Sequence, residues 1–105
     1  MRFPILDKYD SWEEIAKKFN EEIDELDRAI QGDNQDELAY ELLDIMQVCI
    51  GGLDRLQDKG TNLNSKLLNH YQKLMDRGWN IKGQVELDFI NNKRSGSDGK
   101  NNNRR

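Results

Sequence analysis

The segment SWEEIAKKFNEEIDELDRAIQGDNQDELAYELLDIMQVCIGGLDRL, Ser11 to Leu56, decides the fold. Trp12, Ile15, Phe19, Ile23, Leu26 and Ile30 recur at the three-to-four-residue spacing of one helix face. Ser11 with Glu14 has the form of a capping box, so a first helix is predicted over about residues 11–31. Gly32 reads as its stop. Asn34 is the expected N-cap of a second helix, with Asp36 and Glu37 suited to the positive end of its dipole. Leu38, Leu42, Ile45, Cys49, Leu53 and Leu56 form its apolar stripe, which Leu43, Met46 and Ile50 widen. So broad an apolar arc calls for cover on more than one side. Gly51-Gly52 marks a kink or a place where another backbone comes close.

Beyond this segment a third helix is predicted over about residues 63–77, with Gly78 as its stop. Val85, Leu87 and Phe89 alternate like a short strand, but a strand with no partner is weakly specified. The expected fold class is all-α: an antiparallel helical bundle of three main helices per chain, completed to a four-helix bundle by oligomerisation. The domain is placed at residues 1–90. Residues 91–105, rich in Asn, Lys, Arg, Ser and Gly, read as a disordered basic tail.

Composition narrows the function. The chain has 105 residues and a formal charge of −4, room for one modest core. The stretch 93–105 holds five basic residues against Asp98, so the remainder is strongly acidic and unsuited to a nucleic-acid surface. No apolar run is long enough to span a bilayer, and no signal segment is expected at the N-terminus. The single cysteine, Cys49, excludes an intramolecular disulfide and is expected to be a small buried side chain. A reducing cytoplasm is the expected location. The lone histidine, His70, excludes a site needing two histidines from one chain.

Two acidic clusters carry the chemistry: Glu21-Glu22-Ile23-Asp24-Glu25 and Glu41-Leu42-Leu43-Asp44. With Phe19 set at zero on a helical wheel of about 100° per residue, Glu22 and Glu25 fall near 300° and 240°. With Leu38 at zero, Glu41 and Asp44 fall at the same two angles. Both helices thus carry an i, i+3 acidic pair on the same edge of the apolar stripe, and an antiparallel hairpin brings such edges together. Neither pair is flanked by a regular ladder of i, i+4 lysines. Four carboxylates converging on one point repel unless a cation lies between them, which predicts a divalent metal held by hard oxygen ligands. Glu21, near 200° by the same rotation, points away from them.

These residues resemble the MazG-like all-α nucleotide pyrophosphohydrolases, which carry Glu-Glu-x-x-Glu on one helix and Glu-x-x-Asp on the next. The resemblance covers residues 12–58 well and the third helix loosely. It implies hydrolysis of a (d)NTP to the monophosphate and pyrophosphate, dependent on Mg²⁺ with Mn²⁺ as a substitute. It also implies metal ligation by Glu22, Glu25, Glu41 and Asp44, the four acids selected on the wheel. Glu21 matches the first glutamate of the motif, and its part in catalysis stays open. Lys73 and Arg77, four residues apart, are candidate phosphate clamps, although both also suit the negative end of the third helix. Trp12 and Trp79 are either base-stacking platforms or core anchors. The expected partners are a nucleoside triphosphate and one or three further copies of the chain, with no membrane and no specific nucleic acid.

Other acidic sites fit less well. A di-iron bundle needs Glu-x-x-His motifs, and residues 67–70 read Leu-Leu-Asn-His. An EF-hand needs a twelve-residue loop that the turn near Gly32 does not supply. The rival from a different class is a non-catalytic helical interaction module that keeps the bundle and binds partners through its charged edges.

Overall fold

A computed structural model of the chain describes residues 2–7 and 10–90. The predicted basic tail at 91–105 lies outside the described residues. The described residues form three helices and no strand: α1 Trp12–Gly32, α2 Gln35–Asp58 and α3 Leu63–Asp76. The chain divides into two compact units, Met1–Gln72 and Lys73–Arg105.

In the first unit α1 and α2 pack as a hairpin across the two-residue connection Asp33–Asn34. Their starts follow the capping residues. Ser11 Oγ accepts from the Glu14 N–H at 3.1 Å. Glu14 Oε1 in return accepts from the Asp10 N–H at 2.8 Å, one residue earlier than a standard capping box. Asn34 Oδ1 accepts from the Glu37 N–H, and Asn62 Oδ1 caps α3 in the same way through Ser65. The stop of α1 differs from the prediction. Gly32 is the last helical residue, and Asp33 takes the left-handed conformation with φ 53°. Aspartate tolerates that region better than most side chains do. α2 runs unbroken through Gly51-Gly52. What comes close at Gly52 is the Trp12 ring, 3.6 Å from where a Cβ would stand, rather than a second backbone.

The buried side of α2 differs from the predicted apolar stripe. Val48 is 1% exposed and Ile50 6%, with Gly52 and Glu41 also buried. Leu42, Leu43, Met46 and Cys49 are exposed. On the same wheel Glu41, Val48 and Gly52 fall near 300°, 280° and 320°, about 60° from Leu38, while Ile50 falls near 120° on the other side of the helix and Leu38, Ile45, Leu53 and Leu56 of the predicted stripe are half-buried. Burial on α1 is likewise centred on Glu22 rather than on Phe19, Ile23 and Ile30, all of which are exposed. Of the four acids that the sequence placed on the edge of the core stripe, Glu22 and Glu41 therefore sit in the hairpin seam, with Glu25 half-buried and Asp44 exposed beside them. Cys49, expected inside, lies outside because apolar counting skipped the glutamate and glycine on which the helices meet.

The N-terminal segment is tied to α2: Gln47 Nε2 donates to the Pro4 carbonyl at 2.7 Å, and Arg55 donates to the Asp10 carbonyl at 3.0 Å.

The second unit contains the end of α3, which closes at Gly78 with φ 81°. There the Trp79 N–H donates to the Leu74 carbonyl, the Schellman arrangement that favours a glycine. Residues 79–90, including the alternating Val85-Leu87-Phe89, adopt no regular structure. A single strand has nothing to pair its backbone with.

Candidate active site

The seam between α1 and α2 is apolar at one end and acidic at the other. Glu22 is 5% exposed and Glu41 9%, which makes them the buried charged residues of the described chain. Carboxylate oxygens of Glu22, Glu41 and Asp44 all lie within 4.8 Å of one another. Glu22 reaches this point from α1. Glu41 and Asp44 reach it from one face of α2, three residues apart. Oε1 of Glu22 and Oε1 of Glu41 are out of solvent and accept no hydrogen bond. A buried carboxylate oxygen without a partner is costly, so such a pair is the donor set that a hard cation satisfies.

Of the five acids singled out in the sequence, the cluster brings together Glu22, Glu41 and Asp44. Glu25 stands beside them, half-buried, and lines a cleft together with Glu41. Glu21 is exposed. Burial pushes the Glu41 carboxyl above the usual glutamate range, and the charges of Glu25, Asp44, Glu22 and Glu37 push in the same direction. That order places Glu25 within the same field.

Although no regular lysine ladder flanks the acidic pairs, one lysine, Lys18, reaches the first of them. It stands four residues before Glu22, and its Nζ lies 3.0 Å from Glu22 Oε2 and 3.7 Å from Glu21 Oε1. The i, i+4 spacing was readable in the sequence. The pairing engages Oε2 of Glu22 and leaves Oε1 buried without a hydrogen-bond partner.

The cleft, about 310 Å³, runs from Glu25 and Glu41 to the α1–α2 turn and is lined also by Arg28, Ala29, Gly32, Asn34 and Glu37. Arg28 was missed at the sequence level, where its i+3 spacing from Glu25 was the available signal. Lys73 lies in the last turn of α3 and Arg77 just beyond it, both in the second unit. Trp12 packs beneath the Arg55 guanidinium, 5.3 Å from its ring centre, and beside Gly52, an anchoring role.

An all-α hairpin with carboxylates from both helices meeting in its seam is the arrangement of the helical, MazG-like pyrophosphohydrolases. The family model for phosphoribosyl-ATP pyrophosphohydrolase matches residues 7–73, which include the whole hairpin and nearly all of α3. The chain belongs to this family. Comparison with curated proteins and with solved structures gives no match.

Proposed function

We propose that this protein is a cytoplasmic, divalent-cation-dependent pyrophosphohydrolase that converts a (d)NTP and water to the (d)NMP and pyrophosphate. The observation that carries this reading is the pair of buried, unpartnered oxygens on Glu22 and Glu41, clustered with Asp44. Glu22, Glu25, Glu41 and Asp44 are the residues to hold Mg²⁺, or Mn²⁺ in its place. Bound there, the ion supplies neutralisation of the triphosphate charge and a water of lowered pKa. The water oxygen bonds to the α-phosphorus as the bond to the bridging oxygen breaks, and pyrophosphate leaves. The proton lost by water passes to a carboxylate of the cluster not fully engaged by the cation. Glu21, exposed and 3.7 Å from the Lys18 ammonium, shares with Glu22 the cation that competes for the Glu22 carboxylate. Lys73 and Arg77 remain proposed phosphate contacts. The name of the family adds phosphoribosyl-ATP as a substrate to test.

The exposed side chains of Phe19, Ile23 and Ile30 on α1, and of Leu42, Leu43 and Met46 on α2, give the hairpin apolar surface that water does not favour. We assign it to contact with further copies of the chain, as a homodimer or homotetramer. The same surface favours the second reading, a helical interaction module without catalysis.

The deciding experiment incubates the full chain with NTPs, dNTPs and phosphoribosyl-ATP in the presence of Mg²⁺ or Mn²⁺. The expected result is monophosphate-level product and pyrophosphate in equal amounts, abolished by Glu41→Gln. Absence of turnover across the panel, or turnover that survives Glu41→Gln, overturns the hydrolase reading in favour of the interaction module.

A further inference from the structure

We infer that the cleft at the α1–α2 turn receives the leaving pyrophosphate and that Arg28 anchors it, an inference that rests on the hydrolysis proposed at the neighbouring carboxylates. The cleft shares Glu25 and Glu41 with the acidic site, so a group attached to a phosphorus held there extends into it. Its walls contain no aromatic ring and no large apolar side chain, which leaves nothing on which a base can stack. About 310 Å³ is ample for two phosphoryl groups.

Among the described residues Arg28 is the one cation lining the cleft, beside the carboxylates of Glu25, Glu37 and Glu41. Asp24, Glu25 and Asp27 precede it within four positions on α1, yet among the described residues it forms no ion pair. Lys18, by contrast, is held by Glu22. A guanidinium offers a planar fork that matches two phosphate oxygens and stays charged at every physiological pH. As the α–β bond breaks, negative charge accumulates on the pyrophosphate, and a cation beside it stabilises that charge.

Gly32 supports the same assignment. It ends α1 in a helical conformation, and a Cβ built on it meets nothing within 4 Å. Neither backbone nor packing calls for glycine here. The missing side chain keeps the cleft clear.

The test measures inhibition of turnover by added pyrophosphate and by the monophosphate product, with free Mg²⁺ buffered, for wild type, Arg28→Ala, Arg28→Lys, Gly32→Leu and the Lys73→Ala/Arg77→Ala double variant. Arg28→Ala is expected to weaken pyrophosphate inhibition roughly tenfold to a hundredfold, the loss typical of hydrogen bonds to a charged group, and to leave monophosphate inhibition unchanged. Arg28→Lys restores part of it, because the charge returns without the fork. Gly32→Leu weakens pyrophosphate inhibition while helicity by circular dichroism is retained. Unchanged pyrophosphate inhibition in Arg28→Ala, an equal loss for both products, or a loss confined to the Lys73/Arg77 variant overturns the assignment while the hydrolase reading stands. A wild-type protein with no turnover overturns both.

Discussion

Glu22 of α1 and Glu41 of α2 meet across the hairpin seam as its buried charged residues, with carboxylate oxygens within 4.8 Å of each other and of Asp44. Without a cation this arrangement works against folding. The Glu41 carboxyl is raised in the folded protein, first by burial and then by its acidic neighbours, and returns to the ordinary glutamate value on unfolding. The folded state therefore binds more protons than the unfolded state between those two values, and stability is lost as pH rises through that window. Chelator-treated protein is expected to melt at a higher temperature at mildly acidic than at neutral pH. Glu41→Gln should raise the neutral-pH melting temperature and flatten the profile. Thermal melts across pH in EDTA check this, and an unchanged profile in the variant counts against it.

The same acids convert from liability to binding site when a divalent cation is supplied. Mg²⁺ at about a hundred times its dissociation constant stabilises the folded form by about 2.7 kcal/mol. For a domain of this size each kcal/mol moves the melting temperature by roughly 4–8 °C. A rise of about ten degrees or more is expected in wild type, reversed by chelator. It should vanish in Glu22→Gln, Glu41→Gln and Asp44→Asn, with turnover down roughly hundredfold or more, as befits loss of a group that acts as part of a unit.

Lys18 sets the strength of that binding. Its ammonium, 3.0 Å from Glu22 Oε2, competes with any cation for the same carboxylate. Lys18→Met removes the competitor and is expected to tighten Mg²⁺ binding about threefold to tenfold, less so at high salt. Metal-free stability should fall by more than an exposed i, i+4 pair contributes, because Glu22 is buried and loses its cationic partner. Calorimetric titration of Mg²⁺ into both proteins decides it, and weaker binding in the variant would mean that Lys18 positions Glu22 rather than opposing the ion.

Local signals made the helices legible. Ser11 and Asn34 cap where their side-chain chemistry predicts, and Gly78 stops α3 where its freedom at positive φ predicts. The rotation of the helices about their axes was not legible from hydrophobicity. Val48 went unremarked and Cys49 was placed inside, because the seam is built on Glu41 and Gly52, residues that apolar counting treats as breaks. The acidic pairs were readable because i, i+3 spacing on successive helices survives any rotation that both helices share. Arg28 left only its i+3 spacing from Glu25 as a signal, and the space beside Gly32 left none, since a cleft exists only once two helix ends are set against a turn. Phe19, Ile23 and Ile30, expected on the core-facing stripe of α1, are exposed, as are Leu42, Leu43 and Met46 on α2.

Gly52 offers a test of the apolar end of the seam that leaves the acids untouched. It lies inside α2 and is buried, with no positive φ to require glycine. A Cβ there would stand 3.6 Å from the Trp12 ring, an ordinary van der Waals contact. Replacing an interior helical glycine by alanine is worth up to about 1 kcal/mol through backbone entropy alone, so Gly52→Ala should stabilise the protein by about 0.5–1 kcal/mol. Trp12→Ala acts in the opposite direction. It removes the ring on which the Arg55 guanidinium rests at 5.3 Å and leaves Arg55 to hold the Asp10 carbonyl without that support. Because Trp12 is itself 45% exposed, the loss should fall below that of a core tryptophan, at roughly 1–3 kcal/mol. Urea unfolding of the two variants and their combination measures both effects. If Trp12 and Gly52 meet as described, the gain from Gly52→Ala shrinks in the Trp12→Ala background, because the new methyl group has lost the surface it packs against.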